Sequence, residues 1–443
     1  MATTLGWLGI IRLGLVQTAL GAMVVLATST FNRVMVVELA LPAMLPGLLV
    51  AVHYVTQIFR PRMGYGSDVG GRSTPWILGG MTMLGAATVA AAVATTQLAH
   101  SVMLGTIMAL IAYFAIGLGV GAAGTSLLVL LAKRVDPGRR AAAASVVWLM
   151  MIAGFAVTAT LAGKFLDPYT HIRLVEVTAS VVAMALTVTF AAVFGLEKHA
   201  LPATLVETAA VQTPKVPFLT ALAQVWAEPE ARRFTIFVFI SMLAYSAQDL
   251  ILEPFAGVVF EYTVGQSTSL SGVQHQGVFV GMLGVAVLCS YFKNSWLGSL
   301  KMWTVTGCLA SAAALWAISL ASLVGPDWPL RLTVLLLGAS NGAFAVAAIG
   351  SMMANAGQGT AAREGVRMGL WGAAQAFAFG LGGFAGTAAS DIAHALLSSP
   401  AQAYSVVFGL EGMLFLLSAV IAGQLTVSNL QARHPKTGST AYT

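Results

Sequence analysis

Apolar residues along this chain gather into twelve long runs, at roughly 12–40, 43–60, 75–97, 101–132, 141–164, 172–195, 233–260, 272–292, 299–323, 329–355, 364–389 and 402–428. About 20 apolar residues of α-helix cross the ~30 Å hydrocarbon core of a bilayer, so the runs predict twelve membrane-spanning helices. The least hydrophobic long stretch, Glu197 to Arg233, contains Pro202, Pro214, Pro217 and Pro229. It predicts a linker, with a short interfacial helix around Phe218 to Trp226. The expected organisation is a six-helix half at 1–196, a linker at 197–232, a second six-helix half at 233–430 and a tail at 431–443.

Polar residues that interrupt the runs stand out against this background. Asn32, Arg33 and Glu38 fall in the first run, and Gln248, Asp249 and Glu253 fall in the seventh. A charge near the middle of a membrane helix costs about 2.5–3.5 kcal/mol on insertion scales, so such residues normally face a protein interior. Snorkelling to the headgroups competes with that placement for Arg33, because the 21 residues from Arg12 span about 31 Å of helix. If the first and seventh helices meet where the halves join, the two groups form one cluster. That cluster is either a structural clasp or a proton or substrate site.

Composition sharpens the class. Only 9% of the 443 residues are charged and 58% are hydrophobic, where a soluble domain carries about 25% charged residues. The net charge of +6 comes from lysines and arginines in short inter-helix loops. With the N-terminus inside, eighteen of them lie on the cytoplasmic side and three (Lys164, Arg173, Arg331) on the other, with Arg33 left within the first run. This is the positive-inside pattern; it predicts cytoplasmic termini and requires no nucleic-acid partner. Cys289 and Cys308 stand far apart in apolar context and form neither a disulfide framework nor a metal motif. No small-residue cleavage site ends the first apolar run, so no cleaved signal peptide is expected.

The halves repeat weakly. Arg140 precedes Trp148 by eight residues, as Arg363 precedes Trp371; Gly163 and Gly386 keep the same offset of 223, and Asp167 and Asp391 close the two helices. Parallel six-plus-six repeats are the signature of the major facilitator architecture. Between the second and third runs, Gly64, Asp68, Gly71 and Arg72 carry the pattern G-x-x-x-D-x-x-G-R. It resembles the cytoplasmic loop motif of major facilitators, where it implies a conformational latch. The corresponding loop of the second half, Lys293 to Gly298, lacks it.

The strings Phe31 to Leu39, His53-Tyr54 through Asp68, and Gly124 to Leu128 with Arg139 to Ala142 and Trp148 resemble the PucC/LhaA proteins of purple phototrophic bacteria. That family is the bacteriochlorophyll delivery branch of the major facilitators. The resemblance implies a multi-pass protein of the bacterial inner or intracytoplasmic photosynthetic membrane. It further implies assembly of light-harvesting complex LH1 or LH2, with bacteriochlorophyll as cargo and no other cofactor. Its partners would be light-harvesting α/β polypeptides, with reaction-centre subunits or pigment-synthesis enzymes as further ones.

Such a cargo asks for an apolar wall and an axial ligand for its magnesium, for which a neutral imidazole serves, with Asn or Gln as substitutes. His53 lies well within an apolar run, with Gln57 one turn further on, whereas His100, His171, His199, His275, His394 and His434 are expected at helix ends, in loops or on the tail. Both a pigment contact and a helix–helix hydrogen bond fit His53. In the eleventh run Arg363, Glu364, Arg367, Trp371 and Gln375 form one helical stripe. Its first three residues read as interfacial anchors or a docking strip for a partner helix, and Trp371 and Gln375 as further cargo contacts. The chain carries no phosphate loop, no zinc-binding His-Glu pattern and no nucleophile beside a base, so an enzyme is not expected. The competing reading is a proton- or ion-coupled transporter of a small solute.

Overall fold

The computed structural model describes residues 5–60, 63, 72–135, 140–197, 226–292, 295–356 and 364–424. Among them there are only helices and connections. We number the helices α1 (Trp7–Glu38), α2 (Met44–Val55), α3 (Thr74–Gln97), α4 (Val102–Arg134), α5 (Arg140–Phe165) and α6 (His171–Val193) in the first half. The second half contains α7 (Pro229–Val259), α8 (Val264–Tyr291), α9 (Leu300–Val324), α10 (Leu330–Ala356), α11 (Glu364–Leu396) and α12 (Pro400–Gly423). Among the described residues, ten of the twelve provide a span long and apolar enough to cross a membrane; α2 is shorter and continues into a 3₁₀ turn, Thr56–Phe59. The protein is a multi-pass membrane protein.

Local chemistry sets the boundaries. Ser101, Thr170 and Ser299 accept from backbone N–H groups at the starts of α4, α6 and α9, and Thr263 with Gln266 forms a capping box at the start of α8. α9 stops at Gly325, whose φ of 82° lies in the left-handed region that glycine enters freely. The observed α8 begins eight residues before the expected run. Its first turns hold Gln266, Ser267, Thr268, Ser269 and Ser271, which lowered the hydropathy there without weakening the helix.

Packing follows a pseudo-two-fold. α1 packs on α5 and α6 as α7 packs on α11 and α12, and α3 packs on α4 as α9 packs on α10. The halves meet through α5 with α8 and through α2 with α11. Small residues make these crossings close: a Cβ on Gly265 would lie 2.2 Å from the Gly163 carbonyl oxygen.

Two aspartates join the halves at the end of the molecule away from the chain termini. Asp391, near the end of α11, accepts from the Ala43 and Met44 N–H groups at the start of α2, at 2.8 and 2.7 Å. Asp167, just past α5, accepts from the Gly265 N–H at 3.1 Å and the Thr263 hydroxyl at 2.7 Å, at the start of α8. A carboxylate on a helix N-terminus satisfies orphan donors and meets the positive end of the helix dipole, worth about 0.3–1 kcal/mol and up to ~2 kcal/mol when partly buried. Because each cap crosses between halves, it closes this end as well as starting a helix. Asp167→Asn combined with Asp391→Asn should add a long-distance population between spin labels at Ile172 and Leu396, with smaller effects from either change alone. An unchanged distance distribution in the double variant would show that the caps do not hold this end closed.

Candidate functional site

The polar group in α1 sits where the helix changes its winding. Leu26–Thr30 and Val34–Glu38 are π-helical turns on either side of Phe31–Arg33. At 3.6 residues per turn, positions i and i+5 lie about 140° apart around an α-helix. A π turn closes i to i+5 and brings them onto one side, and here Arg33 pairs with Glu38. Arg33, 2% exposed, also donates to the Ser267 hydroxyl at 3.1 Å and to the Tyr262 carbonyl at 2.8 Å. Gly257 provides the room, since a Cβ there would lie 3.0 Å from an Arg33 nitrogen.

Three further bonds tie α1 to the second half. Pro254 lies inside α7 and has no N–H, so the carbonyl four residues earlier loses its helical donor. That carbonyl belongs to Leu250, and the buried Asn32 amide donates to it. Ser29 donates to Glu253, which Thr268 also approaches at 3.4 Å, and Ser29 contacts Ser271 at 2.8 Å. Arg33, Asn32 and Ser29 thus join α1 to α7 and α8 in one buried clasp.

A cavity of about 290 Å³ lies between the halves with Ser29 and Ser271 in its lining, and it extends toward the end that carries the termini. His53, Tyr54, Gln57 and Arg60 reach it from α2 and its 3₁₀ extension, and Gln375 and Phe379 from α11. α5 contributes Trp148, Met151, Ile152 and Phe155, while α8 contributes Gln274, His275, Val278 and Met282. Asp249 also faces this space, where Gln274 donates to it at 2.9 Å. Phe59, next in the 3₁₀ turn, belongs instead to a nearly wholly apolar surface groove of about 400 Å³ with Trp76, Phe114 and Leu118.

The expected site residues therefore divide. Asn32, Arg33, Glu38 and Glu253 belong to the clasp, and Asp249 to the cavity wall. Gln248 is fully buried with neither amide atom partnered among the described residues. His53, Gln57 and Gln375 line the cavity, but Trp371 does not: it is 1% exposed and packs edge-on against Phe234, 4.8 Å between centroids. Arg72 is exposed at the start of α3, whereas Gly64, Asp68, Gly71 and Arg363 lie outside the described residues, as do the side chains of Glu364 and Arg367.

Sequence reasoning missed two residues. His275 is not at a helix end; it lies in the middle of α8 and faces the cavity. The signal available was its position 222 residues after His53, close to the offset of the other repeats. Glu411 on α12 is 3% exposed, and neither of its oxygens has a hydrogen-bond partner among the described residues. A lone Glu inside an apolar run gave no partner to look for.

A family model described as PUCC protein matches residues 30–430. The chain is 50% identical over 436 residues to the bacteriochlorophyll synthase 44.5 kDa chain of Rhodobacter capsulatus, covering 98% of each. It is 27% identical to protein PucC of the same organism, covering 93% of this chain and 91% of that one. Among solved structures, a D-xylose–proton symporter superposes with a TM-score of 0.73 at 12% identity, over 96% of this chain and 98% of the other. A nucleoside transporter gives 0.64 at 13% identity, over 94% and 98%. These likenesses establish a major facilitator fold.

The clasp geometry predicts which residues are energetically coupled. In unfolding measurements in mixed detergent, Arg33→Ala and Glu38→Ala should couple by about 0.5–3 kcal/mol, whereas Arg33→Ala and Asp249→Ala should add to within ~0.5 kcal/mol. Coupling of the second pair as strong as the first would place Asp249 in the clasp. Asn32→Ala should cost about 0.6–2 kcal/mol, as interhelical hydrogen bonds in membranes do. It should cost less in a Pro254→Ala background, where a backbone N–H again reaches Leu250; an equal cost in both would refute that role for Asn32.

Proposed function

Because the chain belongs to the PUCC family, we propose that it is an assembly factor that binds bacteriochlorophyll and hands it to nascent light-harvesting subunits. Family membership across residues 30–430 carries this reading, and the name of the 50%-identical relative, a bacteriochlorophyll synthase chain, ties it to the same pigment. The cavity offers what such a cargo needs: apolar faces from Met151, Ile152, Phe155 and Val278, amides and hydroxyls from Gln57, Gln375, Tyr54 and Tyr245, and imidazoles from His53 and His275. Its volume is at the low end of the ~300–1,000 Å³ of small-molecule sites. A cavity of this size would enclose part of the flat ring, with the remainder and the long apolar tail between helices or in lipid, and the groove beside Phe59 is one apolar place for that tail.

In this reading the protein is a carrier and not an enzyme, since its sequence contains no nucleophile–base or phosphate-binding motif. The distribution of lysines and arginines puts both termini and the cavity mouth on the cytoplasmic side. The membrane is the bacterial inner or intracytoplasmic photosynthetic membrane. Light-harvesting α/β polypeptides are the receiving partners, with reaction-centre subunits and pigment-synthesis enzymes as further ones.

The absorption spectrum of the protein purified from pigment-replete cells tests the proposal. A near-infrared bacteriochlorophyll band should copurify in near-stoichiometric amount, and cross-linking should capture antenna polypeptides. A colourless protein would overturn the carrier reading and leave a small-solute transporter using Asp249 as its competitor.

A further inference from the structure

We propose that Nε2 of His275 is the axial ligand for the magnesium of a tetrapyrrole seated in the central cavity, an assignment that rests on the carrier reading above. The argument starts from one hydrogen bond. His275 Nδ1 lies 2.9 Å from the Ser271 carbonyl oxygen. A carbonyl oxygen only accepts, so Nδ1 carries the proton and, in the neutral imidazole, Nε2 keeps its lone pair. Histidines that ligate metals almost always donate their other N–H in this way, which fixes the tautomer and strengthens the ligand.

Surrounding contacts fix the ring as well. The imidazole meets Phe155 edge to face, 5.0 Å between centroids at 74°, and it is half-buried in the cavity lining. Met151 and Ile152 of α5, with Val278 and Met282 of α8, supply apolar surface in that lining for the face of a flat ring. The four pyrrole nitrogens of such a ring leave the magnesium an axial position, and one neutral nitrogen donor fills it without adding charge to an apolar site. Among the described residues its hydrogen bonding stays within its own helix turn, so Nε2 is not spent on holding the helices together.

The comparison with His53 makes the assignment specific. His53 and His275 occupy matched positions, each some ten residues beyond the helix start that an aspartate of the other half caps. Their nitrogens differ. His53 is 4% exposed, and its Nδ1 is buried with no partner among the described residues. Nothing there fixes a tautomer or leaves a prepared lone pair in the cavity. Asp249, the anionic alternative, has one oxygen engaged by Gln274.

The test uses the full-length protein in detergent with bacteriochlorophyll as the probe, read by resonance Raman and absorption bands that report magnesium coordination. The wild type should bind pigment with a histidine-ligated, five-coordinate signature. His275→Gly should lose that signature and bind about tenfold or more weakly. Added imidazole should restore the signature in His275→Gly, because the small ligand refills the vacated space. His53→Gly and Asp249→Asn, which also change the cavity wall, should alter affinity only, and the pigment they bind should keep the histidine-ligated signature. An unchanged signature in His275→Gly, or its loss in His53→Gly instead, would overturn the assignment while leaving the carrier reading intact. A wild-type protein that takes up no pigment would overturn both.

Discussion

In a membrane, a polar group that leaves water must find its partner within the protein, and the α1 clasp is where this chain meets that demand most severely. Asn32, Arg33 and Glu253 are all buried, and each takes a hydrogen-bond partner from the other half of the molecule. Arg33 needs Glu38 from its own helix, the Tyr262 carbonyl and Ser267 of α8. Separation of the halves at this level would leave Arg33 with Glu38 alone and take their partners from Glu253 and the Leu250 carbonyl. The rest of the architecture is compatible with that requirement: small residues at the α5–α8 and α2–α11 crossings bring the halves close enough for the bonds to form.

The clasp also positions the cavity. Ser29 and Ser271 belong to both, so the bonds that hold α1 against α7 and α8 also bound the space between the halves. The same end is fastened by Asp167 and Asp391, whose caps obey the pseudo-two-fold. Closure at one end and a cavity extending toward the other therefore follow from where the inter-half polar bonds lie. Asp249, one turn before Glu253 on the same side of α7, lies a step further along the helix axis and serves the cavity with Gln274. Four residues of one helix thus separate a structural carboxylate from one that faces the cargo space.

Two local devices make the clasp work, and both depart from regular helix geometry. Pro254 removes a donor from α7 and so creates the acceptor that Asn32 needs at Leu250. The π turns of α1 rotate Glu38 onto the side of Arg33. Departures of this kind cost stability in isolation and persist where tertiary contacts over-determine them. Their coincidence at the junction of the halves is the physical reason that the strongest polar string of the sequence lies there.

The sequence by itself determined the twelve helices, the two halves and the family, because a bilayer imposes length and hydropathy on every span and the repeat preserves spacing. It also marked Asn32, Arg33, Glu38 and Glu253, since charges in apolar runs are expensive and therefore conspicuous. Only the tertiary structure decided their partners. Arg33 pairs with Glu38 through a π turn that α-helical periodicity does not anticipate, and Asp249 is sorted from Glu253 by the neighbours each meets one helical turn apart. His275 was hidden by the polar first turns of α8, which read as loop because hydropathy averages over a helix, whereas lining a cavity depends on one face of it. Trp371 shows the converse: it shares a stripe with Gln375, yet the packing of α11 on α7 turns it into the core. Spacing along one helix identifies a face, and only the neighbouring helices decide what that face meets.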